Sequence, residues 1–233
     1  MNRLHYEFNV ILEDGHFIST LSVEYIIMMD NLITVALEGP SFAGKTTLLK
    51  YCKSIDSLTT VPEYYDINNK ESLAGRTPIR DELGQMETFF KLMRMECQRQ
   101  RVIHDSMEKN IKSIQDRSFF SLISYEYARY GFRNTWKQLD QMMSVCDFIV
   151  PQLIIYIDTS PKLVEKRGTC NGVRIDHPIL NEDFIIRNKK YFEEYVSDIT
   201  TVKICSFDEA NKFIKEWTSS SKNEKTNANY DKH

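Results

Sequence analysis

Two glycines, a lysine and two threonines stand at a spacing that suits the binding of phosphate groups. They lie in one continuous segment, formed by Gly39, Pro40, Ser41, Phe42, Ala43, Gly44, Lys45, Thr46 and Thr47. Glycines let the backbone curl so that its N–H groups point at phosphate oxygens, and the lysine reaches the β- and γ-phosphates of a nucleoside triphosphate. The hydroxyl of Thr46 is a candidate Mg²⁺ ligand. The segment therefore predicts the binding of ATP together with Mg²⁺.

A second group with possible chemistry is the acid–base pair Asp116-Arg117, which follows the run IKSIQ at 111–115. If that run is a strand, the pair stands at its carboxyl end, where α/β sheets present ligands. Asp116 can then help to hold Mg²⁺, and Arg117 can neutralise charge on a phosphoryl group. A simple ion pair at a strand end is the alternative interpretation.

The elements that must position these residues alternate between strands and helices. A continuous apolar run, LITVAL, predicts a buried strand at 32–37, and further short strands are predicted at 58–61, 111–115, 153–157 and 202–205. Helices are predicted at 45–53, 81–109, 118–130, 135–145, from 161 to about 167, at 181–195 with Asn181 as N-cap, and at 208–217. This alternation predicts an α/β fold, a three-layer doubly wound sheet of about five parallel strands with helices on both faces.

The chain has 233 residues, which favours one domain, here placed at 32–217. Residues 1–31 are predicted to be an N-terminal extension, either a hairpin or a leader that is not native to the functional protein. Residues 218–233 are polar and almost free of apolar side chains, which predicts a disordered tail.

Composition narrows the possible partners and compartment. A net charge of −3 gives no electrostatic basis for a nucleic-acid or membrane surface, and no apolar run approaches the roughly 20 residues of a membrane span. The five cysteines form no C-x-x-C pair, which indicates reduced thiols. We therefore expect a cytoplasmic protein that acts on small molecules.

A GTPase is one alternative, because the segment 81–85, with the sequence DELGQ, has the form of a D-x-x-G-Q switch. However, the residues before it do not form an apolar strand, and the chain contains no N-K-x-D guanine-binding motif. We interpret 81–85 as the start of a helix.

Two longer segments carry a family resemblance. The segment 116–126, DRSFFSLISYE, resembles the D-R-[YFH]-x-x-S-x-x-A-Y-Q motif of thymidylate kinases, with Ser118 as in the E-R-S of the related deoxynucleoside kinases. The segment 151–161, PQLIIYIDTSP, is similar to the P-D-L-x-x-Y-L-D-x-x-P motif of the same family. The resemblance covers about 32–215 and implies a P-loop kinase fold with ATP and Mg²⁺, transfer of the γ-phosphate to a nucleoside monophosphate, and a homodimer.

The resemblance also implies a mobile lid at about 167–180, which Gly168 and Gly172 suit. Arg167 stands where the family begins its lid, and Arg174 stands near its exit. Either arginine is a candidate, beside Lys45 and Arg117, for holding the phosphoryl group during transfer.

The acceptor half of the site departs from the family pattern. The family follows its second strand with R-E-P, whereas this chain has Val61-Pro62-Glu63-Tyr64 and so keeps the glutamate without the arginine. Deoxynucleoside kinases use a glutamate here as a base for the sugar 5′-hydroxyl. A nucleoside acceptor is therefore the alternative to a monophosphate, and a regulatory ATPase or GTPase without a small acceptor is a further one.

The predicted acceptor contacts are Glu63, Phe90, Arg94, Arg117 and Tyr125. Arg94 stands roughly where the family has an acceptor-site arginine, and Arg99 on the same predicted helix is a second possible phosphate or base contact. A solvated helix face is the simpler interpretation of both arginines.

Overall fold

The structure is a computed structural model that describes residues 32–64, 82–130 and 148–220. The side chains of 82–90, 130 and 220 lie outside this description. So do four predicted features, namely the extension at 1–31, Asp81 of the DELGQ segment, the helix at 135–145 and the tail beyond residue 220.

Five strands form one parallel sheet in the described part of the chain. The strands are β1 (Thr34–Glu38), β2 (Leu58–Val61), β3 (Lys112–Asp116), β4 (Leu153–Ile157) and β5 (Thr201–Cys205), in the order β2-β3-β1-β4-β5. All five predicted strands are present, with ends that differ by up to two residues. The difference in β3 is the important one, because this strand includes Asp116, which lies beside Leu37 of β1.

Six helices connect these strands within the described residues. They are α1 (Lys45–Cys52), α2 (Glu82–Glu108), α3 (Phe120–Tyr130), α4 (Pro161–Cys170), α5 (Glu182–Glu194) and α6 (Phe207–Ser220), with 3₁₀ turns at Pro178–Leu180 and Val196–Asp198. The predicted cap of α5 is confirmed, because the Asn181 side chain accepts a hydrogen bond from the Phe184 N–H at 3.0 Å. None of the described helices combines the length and the apolar character that a membrane crossing needs.

The sheet is covered on both faces. Alternate strand residues such as Leu37 and Ile155 pack with α1 and α6, in a cluster that contains Leu48 and Phe213. The residues between them, such as Ala36, Ile154 and Tyr156, face the other side and pack with residues of α2, α3 and α5. Every residue of β1 and β4 is buried, as expected for strands that are covered twice. The predicted three-layer α/β fold is confirmed.

The strand order creates a crevice beside β1. The chain leaves β1 toward β2 at one edge of the sheet, whereas it leaves β3 toward β4 on the other side of β1. Two neighbouring parallel strands therefore send their loops in opposite directions, which is the arrangement that binds ligands in open α/β sheets. The loop that begins at Gly39 and the pair Asp116-Arg117 both lie at this point.

The last helix continues farther than the sequence predicts. The predicted tail begins at 218, but α6 continues to Ser220. Thr218 is buried and its hydroxyl donates to the Ile214 carbonyl at 2.8 Å, so this threonine belongs to the helix. The preceding Trp217 is fully buried and its indole N–H donates to the Leu32 carbonyl at 2.9 Å, which anchors α6 to the entry of β1.

The predicted lid is partly a regular helix. Residues 167–170 form the last turn of α4, where the sequence predicts the lid to begin. A Cβ added to Gly168 would lie 2.5 Å from Leu180 Cδ2 and 3.1 Å from Phe42 Cε2, so this glycine allows close packing. Gly172 has φ +79° and open space around it. Of the two glycines, only Gly172 therefore still fits the predicted flexible position.

Candidate active site

The phosphate-binding loop, residues 39–46, connects β1 to the first turn of α1. Gly39 has φ +126°, and a Cβ there would lie 2.6 Å from the Ile157 carbonyl oxygen. Gly44 has φ +106°, and a Cβ there would lie 2.7 Å from the ring of Phe207. Both positions therefore require glycine. Because α1 begins at Lys45, its N-terminal N–H groups face the loop and favour an anion there.

Lys45 is folded over this loop. Its ammonium group donates to the carbonyls of Gly39 at 3.0 Å and Pro40 at 2.7 Å, and the residue is buried. Burial, and then the positive charge of Arg117, lower the pKa of Lys45 to about 8. Phosphate oxygens would offer this ammonium group a negative partner in place of the two carbonyls.

Thr46 and Asp116 lie next to each other in the crevice. The Thr46 hydroxyl donates to Asp116 Oδ2 at 3.3 Å. The other carboxylate oxygen, Oδ1, is buried without a hydrogen-bond partner, and burial raises the pKa of Asp116. A hydroxyl next to a buried carboxylate with an unused oxygen is a donor set that fits Mg²⁺, which is commonly held by one or two protein oxygens and by substrate phosphates. Residues 32–64, 82–130 and 148–220 contain no group of three or more His, Cys, Asp or Glu side chains that could hold a metal instead.

Arg117 links the ends of three strands. Its Nε donates to Glu63 Oε1 at 2.6 Å, its Nη1 donates to the Gly39 carbonyl at 3.2 Å, and Nη1 lies 4.0 Å from Glu38 Oε2. Burial alone would lower the pKa of Arg117. The neighbouring negative charges of Glu63 and Glu38 raise this pKa by more than burial lowers it, so the net shift is upward. The guanidinium therefore stays charged next to the phosphate-binding loop.

Glu63 lies at the mouth of the crevice with 27% of its side chain exposed. Burial alone would raise the pKa of Glu63, but the positive charges of Arg117 and Lys45 lower it below its usual value. The carboxylate is consequently ionised at neutral pH and within reach of a bound ligand.

One open cavity of about 630 Å³ brings the predicted donor and transfer residues together. It is lined by Ser41, Phe42, Ala43, Gly44, Lys45, Thr46, Thr47, Glu63, Arg117, Arg167, Asn171 and Phe207. Arg167 Nη1 donates to the Phe42 carbonyl at 2.8 Å, which places this arginine beside the loop. Tyr125 lies behind the loop, where its hydroxyl is 3.5 Å from Ser41 Oγ and its ring centre is 5.3 Å from the Arg117 guanidinium carbon.

The predicted arginines Arg174 and Arg94 do not line this cavity. The side chain of Arg174 is 83% exposed and pairs with Asp176 at 2.6 Å. Arg94 is exposed on α2 and is not among the cavity residues. The side chain of Phe90 lies outside the described part of α2. The proposed roles of these three residues stay predictions.

Arg99 requires a correction. The sequence makes it a possible phosphate or base contact, but its side chain is completely buried and pairs with Glu96 at 3.0 Å. The spacing of residues on α2 places Arg99 on the face that packs against the sheet, and it contacts backbone there instead of ligand.

Sequence reasoning did not select Glu38, although the structure makes it a central residue. Its Oε1 accepts from the N–H and the hydroxyl of Ser118, both at 2.7 Å, and its Oε2 accepts from the Ser121 hydroxyl at 2.5 Å. Burial raises the pKa of Glu38. A charged residue at the end of an apolar strand, directly before Gly39, was a signal that could have found it. Phe207 offers no such signal, because only the fold brings it to the loop.

Two solved kinase structures share this architecture. The structure of deoxyadenosine kinase from M. mycoides with bound dATP matches with a TM-score of 0.54 and 14% sequence identity, over 82% of this chain and 98% of that chain. The crystal structure of thymidylate kinase from Ehrlichia chaffeensis matches with a TM-score of 0.52 and 17% identity, over 74% of this chain and 85% of that chain. No protein-family model matches the sequence, and no curated protein sequence is significantly similar to it. The chain therefore has the P-loop kinase fold, shared by a representative of each of the two kinase groups that its motifs resemble.

Proposed function

We propose that the protein is an ATP-dependent kinase that transfers the γ-phosphate of ATP to the 5′-hydroxyl of a nucleoside. The observation that carries the proposal is the pair formed by Glu63 and Arg117, which meets Lys45 and Thr46 on one cavity. A guanidinium that can stabilise a transferring phosphoryl group thus lies beside a carboxylate that can accept a hydrogen bond from a hydroxyl.

The electrostatics around Glu63 favour a hydroxyl over a phosphate as the acceptor. The carboxylate is ionised, and it would repel the negative charge of a nucleoside monophosphate. Arg117 is the cation paired with it, and this arginine already bonds Glu63 and the Gly39 carbonyl. A neutral hydroxyl meets no such repulsion and can donate directly to the carboxylate.

A nucleoside monophosphate is the second candidate acceptor. The segments DRSFFSLISYE and PQLIIYIDTSP are closer to the thymidylate kinase motifs, and the thymidylate kinase from Ehrlichia chaffeensis shares the fold. This candidate requires a further cation near the acceptor, for which Arg94 is the sequence-based choice.

The chain's own residues would act mainly by positioning and by neutralising charge, because phosphoryl transfer proceeds through a loose transition state. Lys45 and the N–H groups of the loop bind the β- and γ-phosphates, and Arg117 with Arg167 offsets negative charge on the transferring group. Mg²⁺, held by Thr46 and Asp116 together with phosphate oxygens, would neutralise further charge on the phosphates.

Glu63 would orient the acceptor hydroxyl and take up its proton late in the transfer. A carboxylate with a lowered pKa is a weak base, so early removal of a hydroxyl proton is not its main contribution. Arg117 fixes the direction of this carboxylate through the 2.6 Å bond to Oε1.

The test is a measurement of ATP consumption with a panel of nucleosides and nucleoside monophosphates, in which the phosphorylated product is identified by chromatography. Formation of a nucleoside 5′-monophosphate at a rate well above the rates with other acceptors supports the proposal. A nucleoside diphosphate as the main product would favour the second candidate. Steady hydrolysis of ATP that no acceptor accelerates would contradict both and favour a regulatory ATPase. Glu63→Gln keeps the size of the side chain and should lower kcat by about 10²-fold without changing ATP affinity.

A further inference from the structure

Three buried residues join the end of β2 to the end of β3 on the α2 side of the sheet. In this Tyr64–Glu96–Arg99 cluster, the Tyr64 hydroxyl donates to Glu96 Oε2 at 2.7 Å and lies 3.2 Å from the Ser118 carbonyl. Arg99 donates to the same Glu96 oxygen at 3.0 Å, and its guanidinium carbon lies 4.4 Å from the centre of the Tyr64 ring. The other Glu96 oxygen accepts from Gln100 at 2.6 Å, so both oxygens of this carboxylate are used.

The cluster binds the backbone of the residues that the proposed mechanism uses. Arg99 Nη2 donates to the Asp116 carbonyl at 3.0 Å and also to the Arg117 carbonyl. Arg117 has φ +67°, a left-handed conformation that costs a residue with a Cβ roughly 1–2 kcal/mol. In this conformation the Arg117 side chain donates to Glu63 and to the Gly39 carbonyl.

A contribution to stability does not explain why Glu96 and Arg99 are buried as an ion pair. A buried ion pair often contributes less to stability than apolar residues of the same volume, because both charges lose their water. Arg99 and Glu96 have no side-chain exposure, yet the pair is placed where it reaches two consecutive carbonyls next to the cavity. The ion pair can hold the carbonyls of Asp116 and Arg117 in place, whereas apolar residues of the same volume cannot.

We propose that the Tyr64–Glu96–Arg99 cluster is a positioning device that sets the distance and orientation between Glu63 and Arg117. Tyr64 directly follows Glu63 in the chain, and Arg99 holds the carbonyl of Arg117, so Glu96 connects the two partners of the active-site ion pair. None of its three residues lines the cavity, so the cluster acts through Arg117 and Glu63. This inference rests on the proposed function for its catalytic consequence, although its structural content is independent.

A kinetic double-mutant cycle tests the catalytic part. Arg99→Met, which keeps much of the buried volume, should lower kcat by about 10²-fold and leave ATP affinity unchanged, because the phosphate-binding loop is retained. In the Arg117→Ala background, the same substitution should change kcat by no more than about twofold, because the group through which it acts is already absent. Losses that multiply in the double variant would overturn the proposal.

Tyr64→Phe and Ile103→Val separate positioning from folding. Tyr64→Phe removes only the hydroxyl and should lower kcat by about 10-fold, again without effect in the Arg117→Ala background. Ile103 is fully buried on α2, one turn beyond Arg99, and Ile103→Val should lower the Tm while leaving kcat unchanged. A kcat that follows the Tm across all these variants would show that the cluster only supports folding. Should Arg99→Met fail to fold, Arg99→Lys takes its place, since a lysine cannot reach Glu96 and both carbonyls together.

A crystal structure of the Arg99 variant provides a readout that needs no activity. The expected result is loss of the left-handed conformation at Arg117 or of its bond to Glu63. An unchanged conformation with the bond intact would overturn the proposal. If the wild-type protein phosphorylates no nucleoside and no monophosphate, the proposed function fails, whereas this structural result still decides the inference about the cluster.

Discussion

Lys45 shows how burial changes the chemistry of a residue that the sequence already identifies. Its position between Gly44 and Thr46 predicts contact with phosphates, and the structure places it on the cavity. The sequence could not predict its lowered pKa, because that depends first on burial and then on Arg117, which is distant in the chain. The ammonium group is therefore partly deprotonated at mildly alkaline pH when no ligand is bound.

ATP affinity should depend on pH through this lysine. Well below pH 8 the ammonium group is fully charged, so its protonation does not limit affinity. Phosphates stabilise the charged form and raise its pKa, so affinity should fall as pH rises above about 8, and binding there should take up protons. Calorimetry at pH 8.5 in two buffers with different ionisation enthalpies measures the uptake. Lys45→Arg keeps a positive charge at all these pH values and should show no proton uptake on binding ATP. Equal affinity at pH 7 and pH 9.5 in the wild type would contradict the prediction.

Arg117 should be required for catalysis more than for ATP binding. Arg117→Ala removes the guanidinium that neutralises the transferring group, and we expect kcat/KM to fall by about 10³-fold. Arg117→Lys keeps the charge but loses the bidentate geometry of the guanidinium, so kcat/KM should fall by less than in Arg117→Ala. Arg129→Ala, at an exposed arginine of α3, is the matched control. A normal kcat/KM for Arg117→Ala would remove this arginine from the mechanism.

At the scale of elements, the helix α4 packs against the loop 39–46 at the place where the sequence predicts only the start of a lid. Phe42 of the loop packs against a small cluster formed by Val164, Leu180 and Ile185. The motif similarity predicted Arg167 at this place, and the structure puts Arg167 beside the loop. The packing of Gly168 could not be predicted, because a glycine near a helix end also suits a hinge.

Gly168→Ala tests this packing. Alanine is favoured over glycine in a helix by about 1 kcal/mol, but forcing a methyl group against Leu180 and Phe42 costs about 1–3 kcal/mol. We expect a net loss of up to about 2 kcal/mol in the free energy of unfolding and weaker ATP binding, because Phe42 must move. Denaturant titration and ATP binding measure the two effects.

Lys166→Ala, at an exposed position of the same helix, should change the unfolding free energy by less than about 0.5 kcal/mol. A Gly168→Ala variant that is more stable than the wild type would show that the helix has room to adjust.

At the scale of the whole molecule, the fold was more predictable than the acceptor half of the site. The alternation of short strand-like runs with helical segments identified all five described strands, most clearly β1 and β4, because fully buried parallel strands are continuously apolar. The burial of Glu96 and Arg99 could not be predicted, since charged residues on a helix are expected to face solvent unless their partners are known. The acceptor contacts and the homodimer stay predictions.

Truncation tests where the folded unit ends. A chain that stops after residue 220 should keep the Tm of the full protein, because Thr218 is the last buried residue among the described side chains of α6. A chain that stops after residue 216 loses a fully buried tryptophan and should lose about 3–5 kcal/mol of stability. Trp217→Phe keeps most of the apolar volume but not the bond to Leu32, so about 1–2 kcal/mol should be lost. Equal Tm values for the two truncated chains would contradict this role of Trp217.

The contact between Gly44 and Phe207 has a consequence for synthesis of the chain. Translation proceeds from the N-terminal end, so the phosphate-binding loop leaves the ribosome long before α6 exists. Until the ring of Phe207 reaches Gly44, and Ile157 reaches Gly39, the loop lacks the surfaces against which its glycines pack. A nascent chain with the complete motif thus has an unfinished loop. Under the proposed function, ATP would favour the folded state only after the last helix has joined the sheet.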